Sequence, residues 1–224
     1  MPHFNRTIAA FCCLALGALA LRPLPAEAKD SAKNEKLLAA VEPFEGLTET
    51  ALSGDAKKID SAFKAAEKDR AATRALLPAA NATAYDKLFT ALEAAQTKHD
   101  NIAVSLQAAE LYKLIVSSLD STALTIPMEV GLLDYSGMRT NALLKTMPQD
   151  WTAIGATAQE ANSWWAKVSG RVTNKKLQTD MTKALNGLTN AAKSHDAALS
   201  RSSAKEDLDL VDELESFFTK AAKK

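Results

Sequence analysis

Apolar residues recur at helical spacing throughout the body of the chain, and this spacing most constrains the fold. Leu210, Val211, Leu214, Phe217 and Phe218, for example, fall at i, i+1, i+4, i+7 and i+8, which places them on one helix face. Alanine, leucine, lysine and glutamate, all strong helix formers, dominate the same region. Runs of Val, Ile and Thr that alternate with polar residues, as in strands, do not occur. The sequence therefore predicts an all-α fold.

Sparse turn residues divide this helical pattern into segments. Gly54 ends one predicted helix and Asp55 caps the next, while Pro148 follows the end of another. Ser203 and Glu206 have the spacing of a capping box, which predicts that the last helix begins at residue 204. The predicted helices span residues 31–52, 55–77, 83–118, 128–146, 150–170, 175–200 and 204–222.

Three blocks of sequence recur in the same order with small gaps, at offsets of 91, 95 and 96 residues. The aligned pairs include Gly46 with Gly137, Asp55 with Asp150, Leu92 with Leu188, His99-Asp100 with His195-Asp196, and Glu110 with Glu206. They predict an internal duplication with one unit of three helices in residues 29–122 and a second in 123–224. Since one such unit has a thin core, we expect both to pack into one compact, antiparallel up-and-down bundle. Chance similarity between alanine-rich helices is the alternative explanation.

Residues 1–28 have the three parts of a secretory signal peptide. Arg6 lies in a short polar start, residues 8–21 are uncharged, and Ala26 and Ala28 form an A-x-A cleavage site. The apolar stretch is shorter than the about 20 residues that span a bilayer. We therefore expect cleavage before Lys29, export to a bacterial periplasm and no stable membrane insertion after cleavage.

Cleavage would also remove Cys12 and Cys13, the only cysteines. The mature chain would then form no disulfide, no thiolate metal site and no covalent c-type haem attachment. Two arginines and one glutamate leave with the leader, and 25 basic and 26 acidic residues remain. This near balance argues against a nucleic-acid partner. Because no phosphate-binding loop, nucleophile elbow or His-Glu-x-x-His motif occurs, we expect a protein that is not an enzyme.

The mature chain has only two histidines, His99 and His195, and each precedes an aspartate. Imidazole and carboxylate are usable ligands for zinc, copper or iron. Glu110 and Glu206 each follow a histidine by eleven residues, three helical turns later on nearly the same face. If the long helices run antiparallel, His99 would approach Glu206 and His195 would approach Glu110, which predicts a transition metal site. The alternative is a half-buried histidine bonded to a carbonyl or carboxylate.

Residues 127–139, near the join between the predicted units, resemble a bundle helix least. This segment contains two glycines and two methionines, and a methionine there would either ligate copper(I) or fill a gap in the core. Asp134 and Arg139 would form an ion pair or a clamp on a ligand. Further along, one of the adjacent Trp164 and Trp165 would face the core, while the other lines a groove or an interface.

Together these features predict an exported, non-enzymatic helical-bundle protein that binds a metal ion or a small ligand between the two units. The alternative is a structural module that docks a periplasmic protein through Trp164 and Trp165 or through the C-terminal helix. Noncovalent haem binding is a weaker alternative.

Export provides the first test. We expect the intact mass of the exported protein to correspond to a chain that begins at Lys29, because signal peptidase requires the small residues Ala26 and Ala28. A mass that includes residues 1–28, or that includes an added lipid, would contradict this prediction.

Overall fold

A computed structural model describes residues 31–223, whose regular structure is entirely helical. This confirms the all-α prediction, whereas the predicted signal peptide lies outside the described residues. Short 3-10 turns at Ser121–Ala123 and Ser169–Arg171 lie in the connections between α-helices. The helices are α1 Ala32–Ser53, α2 Ala56–Lys68, α3 Arg70–Leu76, α4 Ala79–Thr97, α5 Asn101–Val116, α6 Met128–Leu143, α7 Trp151–Val168, α8 Lys175–Ser194 and α9 Ala197–Ala222.

The helices form two groups that meet along α6. In the second half of the chain each of α6, α7, α8 and α9 packs on the next, and α9 returns to α6. In the first half α1 packs on α2 and α5, and α4 packs on α5. The halves join where α6 contacts α5 and, less extensively, α1. A single cluster of buried apolar side chains extends through both halves, so they share one core.

Large aromatic side chains fill the centre of each half. In the first half Phe44 meets Tyr85 and Phe89 edge to face, with ring centroids 6.3 and 6.2 Å apart. In the second half Tyr135 meets Trp164 in the same manner at 6.0 Å. Such contacts add to the free energy gained by burying the rings. Within residues 31–223 no helix combines the length and the apolar character needed to cross a membrane.

Several predicted helix boundaries are wrong, and the largest errors concern the third helix of each predicted unit. The predicted helix 55–77 is also divided, into α2 and α3, and α4 begins at Ala79 rather than at residue 83. The predicted helix 83–118 is divided into α4 and α5 at His99. The predicted break before residue 204 is missing, because α9 continues from Ala197 through the supposed capping box. Ser203 is buried against Gly187 of α8 and does not cap a helix. Each half thus contains four principal helices, with α3 an additional short one, and the predicted three-helix units are not confirmed.

A glycine allows α6 and α9 to approach closely. A Cβ atom at Gly137 would lie 2.6 Å from Cγ of Leu208 and 3.2 Å from the carbonyl oxygen of Ala204. Gly46, its counterpart in the sequence alignment, lies on an exposed face of α1 with no atom within 4 Å of such a Cβ. Packing therefore requires glycine at one position of this pair and not at the other.

The pair supplies a matched test of this packing. We expect Gly137→Ala to lower the free energy of unfolding by about 1–3 kcal/mol, because the added methyl group overpacks the α6–α9 contact. The control Gly46→Ala should raise it by about 0.5–1 kcal/mol, since alanine favours a helix interior. Urea denaturation measures both changes. Equal effects of the two substitutions would contradict the close approach of α6 and α9.

Candidate functional site

The two histidines lie at helix ends, each in the same kind of turn. His99 follows α4 and His195 follows α8, and both adopt the left-handed conformation with φ of 54°. The backbone N–H of the next residue, Asp100 or Asp196, donates to a carbonyl oxygen five residues earlier at 3.0 Å. The side chain of each aspartate then accepts hydrogen bonding from the backbone N–H at the start of the following helix. These contacts give both His-Asp pairs a structural role as a C-terminal stop and an N-terminal cap.

The four predicted metal ligands have different surroundings and do not face one common point. The ring of His195 stacks on Trp151 at a centroid distance of 5.2 Å. Glu110 of α5 accepts a hydrogen bond from the Tyr135 hydroxyl and pairs with Arg139, both at 2.8 Å. Glu206 is exposed on α9. Within residues 31–223 no three His, Cys, Asp or Glu side chains are grouped so that they could hold a metal ion. The metal site stays a prediction that the described geometry does not support.

The remaining predicted candidates have internal partners. Trp164 and Trp165 are both buried, so they provide no exposed docking face. The indole N–H of Trp165 donates to the Thr182 hydroxyl at 2.9 Å. Arg139 pairs with Glu110, so the predicted ion pair with Asp134 does not form, and a clamp of the two residues on a ligand stays a prediction. Asp134 makes different contacts, and these lie next to a cavity.

This cavity, of about 130 Å³, lies at the junction of the two halves. Its walls come from α1 and α5 of the first half, from the connection between α5 and α6, and from α6 and α9 of the second half. It is comparable in size to an engineered apolar cavity of ~150 Å³ that binds benzene. Most lining side chains are apolar, including Leu38, Val41, Val116, Leu119, Leu124 and Ile126.

A small polar region interrupts the apolar lining. Tyr112 of α5 is only 5% exposed, and its hydroxyl donates a hydrogen bond to Asp134 of α6. Gly131 makes room for this contact, because a Cβ atom there would lie 3.4 Å from the Tyr112 hydroxyl and 3.3 Å from Cγ1 of Val116. Glu45 of α1 and Glu215 of α9 also line the cavity and are exposed, so its rim is acidic.

The described charged groups at this rim are all negative. Among the described residues no Lys or Arg lines the cavity, and no ion pair includes Asp134, Glu45 or Glu215. Burial raises the pKa of Asp134 to about 7, and the charges of Glu45 and Glu215 act in the same direction. Burial and neighbouring carboxylates also raise the pKa values of Glu45 and Glu215. A positive charge placed here would relieve this repulsion.

Sequence reasoning identified the region of this cavity but missed most of its polar groups. The segment 127–139, noted for its glycines and methionines, contributes Met128 and Gly131 to the walls. Glu45, Tyr112 and Glu215 belong to other helices, far apart in the chain, and have no distinctive local motif. The available signal was the position of Asp134 one turn after Gly131 on the same helix face.

Substitution of His99, which lies in the turn between α4 and α5, distinguishes a structural role of this histidine from a role as a metal ligand. We expect His99→Gly to raise the free energy of unfolding by about 1 kcal/mol, because glycine adopts the left-handed conformation without steric penalty. His195→Gly should gain less, since it also loses the stacking on Trp151. Urea denaturation with and without added Zn²⁺ measures both effects. A Zn²⁺-dependent stabilisation that His99→Gly abolishes would instead support the metal site.

Comparisons of the chain with protein-family models, with curated proteins and with solved structures give no match. The function proposed next therefore rests on the geometry of this chain.

Proposed function

We propose that this protein is an exported, non-enzymatic binding protein that holds a small organic cation, an apolar group bearing a protonated amine, in the cavity between its halves. The observation that supports this proposal most directly is an apolar cavity whose polar region contains carboxyl groups and no described cation. An apolar lining favours the body of such a ligand, while Asp134 and the rim carboxylates favour its charge. The export signal predicted for residues 1–28 supports a periplasmic location.

The size and the chemistry of the cavity narrow the ligand. Its volume is below the ~300–1,000 Å³ typical of drug-sized ligands, so we infer a ligand much smaller than haem. Burial raises the pKa of Tyr112 well above its ordinary value, and this phenol therefore keeps its proton and serves as a hydrogen-bond donor. Binding of a ligand, rather than its chemical conversion, fits such a lining.

We also infer that the two halves arose by internal duplication and follow an up-and-down path. Consecutive helices pack on each other, which supports that path. Aspartates cap α2 and α7 at aligned positions, and His-Asp turns with equal φ values precede α5 and α9. In this interpretation the cavity is the place where the two copies meet.

Benzylamine, with neutral benzyl alcohol and anionic benzoate as matched probes, tests the proposed ligand class. We expect benzylamine to bind the mature protein at pH 8 at least tenfold more tightly than benzyl alcohol, because only the amine pairs with the carboxylates. The double variant Glu45→Gln/Glu215→Gln should weaken this preference, with Asp134 still present, whereas Glu35→Gln, more than two turns away on α1, should leave it unchanged. Calorimetric titration gives the affinities, and amide chemical shifts locate the probe.

The same titration has a defined pH dependence. Because the cation favours ionised Asp134, its affinity should fall as the pH drops below about 7, by up to about tenfold per pH unit. The affinity for benzyl alcohol should change little. Equal affinity for the amine and the alcohol would contradict the cationic ligand, and failure of all three probes to perturb α1, α5 and α6 would contradict a binding cavity.

A further inference from the structure

Asp207 is a buried carboxyl group in the contact between α9 and α6. It is 0% exposed and lies one turn before Leu210 and Val211 on the buried face of α9. Its Oδ2 atom is 2.7 Å from the hydroxyl of Ser136 on α6, while Oδ1 is buried without a hydrogen-bond partner. An acidic side chain therefore occupies an interior position between two helices.

The hydrogen bonds around Ser136 indicate the protonation state of this group. The Ser136 hydroxyl lies 2.7 Å from Oδ2 of Asp207 and 2.8 Å from the carbonyl oxygen of Leu133. A hydroxyl has one hydrogen, so it cannot donate to both acceptors. If Asp207 carries a proton on Oδ2, the acid donates to Ser136 and Ser136 donates to Leu133, and both short contacts become hydrogen bonds. If Asp207 were ionised, one of these two short contacts would join two hydrogen-bond acceptors with no hydrogen between them.

Among the described residues, the charge that acts on Asp207 opposes its ionisation. From α6, Asp134 contributes a negative charge. From α8, Gly187 lies against Ser203, which precedes Asp207 by one turn of α9, and neither residue carries a charge. On α9 itself, Lys205 pairs with the exposed Asp209 at 2.5 Å. Burial, together with the charge of Asp134, outweighs the lowering effect of the Ser136 hydroxyl and raises the pKa of Asp207 to about 8.

The α6–α9 contact leaves little room to hydrate an ionised Asp207. Next to Ser136, Gly137 already brings the two helices so close that an added Cβ would meet Leu208 at 2.6 Å. Ionisation would place an unpaired charge in this contact, and such a charge is stabilised only by water or by a cation. The helices must therefore separate to hydrate it.

We propose that Asp207 and Ser136 form a proton-dependent joint, in which the proton held between them keeps α6 and α9 together and its loss loosens their contact. This proposal stands independently of the ligand-binding proposal. It makes the contact tightest in mildly acidic surroundings, which is the reverse of a contact held by ion pairs between carboxylates and cations.

The Asp207 titration tests the joint directly. In the mature protein labelled with ¹³C at aspartate Cγ, we expect the Asp207 signal to titrate near pH 8. A titration of Asp207 near pH 4 would overturn the proposal, and this measurement needs no variant that has to fold.

Hydrogen exchange tests the consequence for the helices. Amide protection factors in α6 and α9, corrected for intrinsic exchange rates, should fall by at least about tenfold per pH unit between pH 5 and 7 and level off above pH 8. Asp207→Asn, which cannot ionise, should reduce this slope by about one power of ten per pH unit. The matched control Asp209→Asn should leave it unchanged. An unchanged slope in Asp207→Asn would also overturn the proposal.

Discussion

The packing of α6 against four other helices is the constraint on which the rest of the structure depends. A helix that is buried on most sides cannot divide its surface into one apolar and one polar face. Its buried residues accordingly include apolar, small and polar side chains, among them Tyr135, Ser136, Gly137 and Thr140. The same helix joins the halves through α5 and α1, and it supplies part of the cavity wall. The features that set this protein apart from a simple bundle therefore lie on or next to α6.

The polar groups around α6 are satisfied in two different ways. On the side toward α5 and α7, charges are paired: Arg139 contacts Glu110 at 2.8 Å, and Lys113 contacts Glu160 at 2.8 Å. By contrast, Asp134, bonded to Tyr112 of α5, and Asp207, bonded to Ser136 in the α6–α9 contact, have hydroxyl partners and no described cation. A buried carboxyl group without a cation is tolerated most readily in its protonated form. This asymmetry explains why the proposed ligand site and the proposed joint both lie near the α6–α9 pair.

The His-Asp pairs show how one local pattern can indicate two roles. Histidine next to aspartate suggests metal ligation, and aspartate before a helix suggests a cap. The alignment of His99 with His195 fitted both interpretations, because a repeated turn and a repeated ligand recur equally in a duplicated chain. The left-handed backbone at both histidines supports the turn. The predicted helix 83–118 was wrong because leucines and alanines continue at helical spacing on both sides of His99, so this spacing did not indicate the turn.

The sequence alone determined the all-α class and most of the helix boundaries, because helix propensity, aspartate caps and glycine or proline stops act within a few residues. It also indicated that residues 127–139 differ from an ordinary bundle helix. Only the tertiary structure brought Glu45, Tyr112 and Glu215 to one cavity, Asp134 to the Tyr112 hydroxyl, and Asp207 to Ser136. These groups are far apart in the chain, and their pKa values depend on which helices exclude water from them. Helix-forming tendency is local, whereas desolvation and charge repulsion arise only when distant segments pack together.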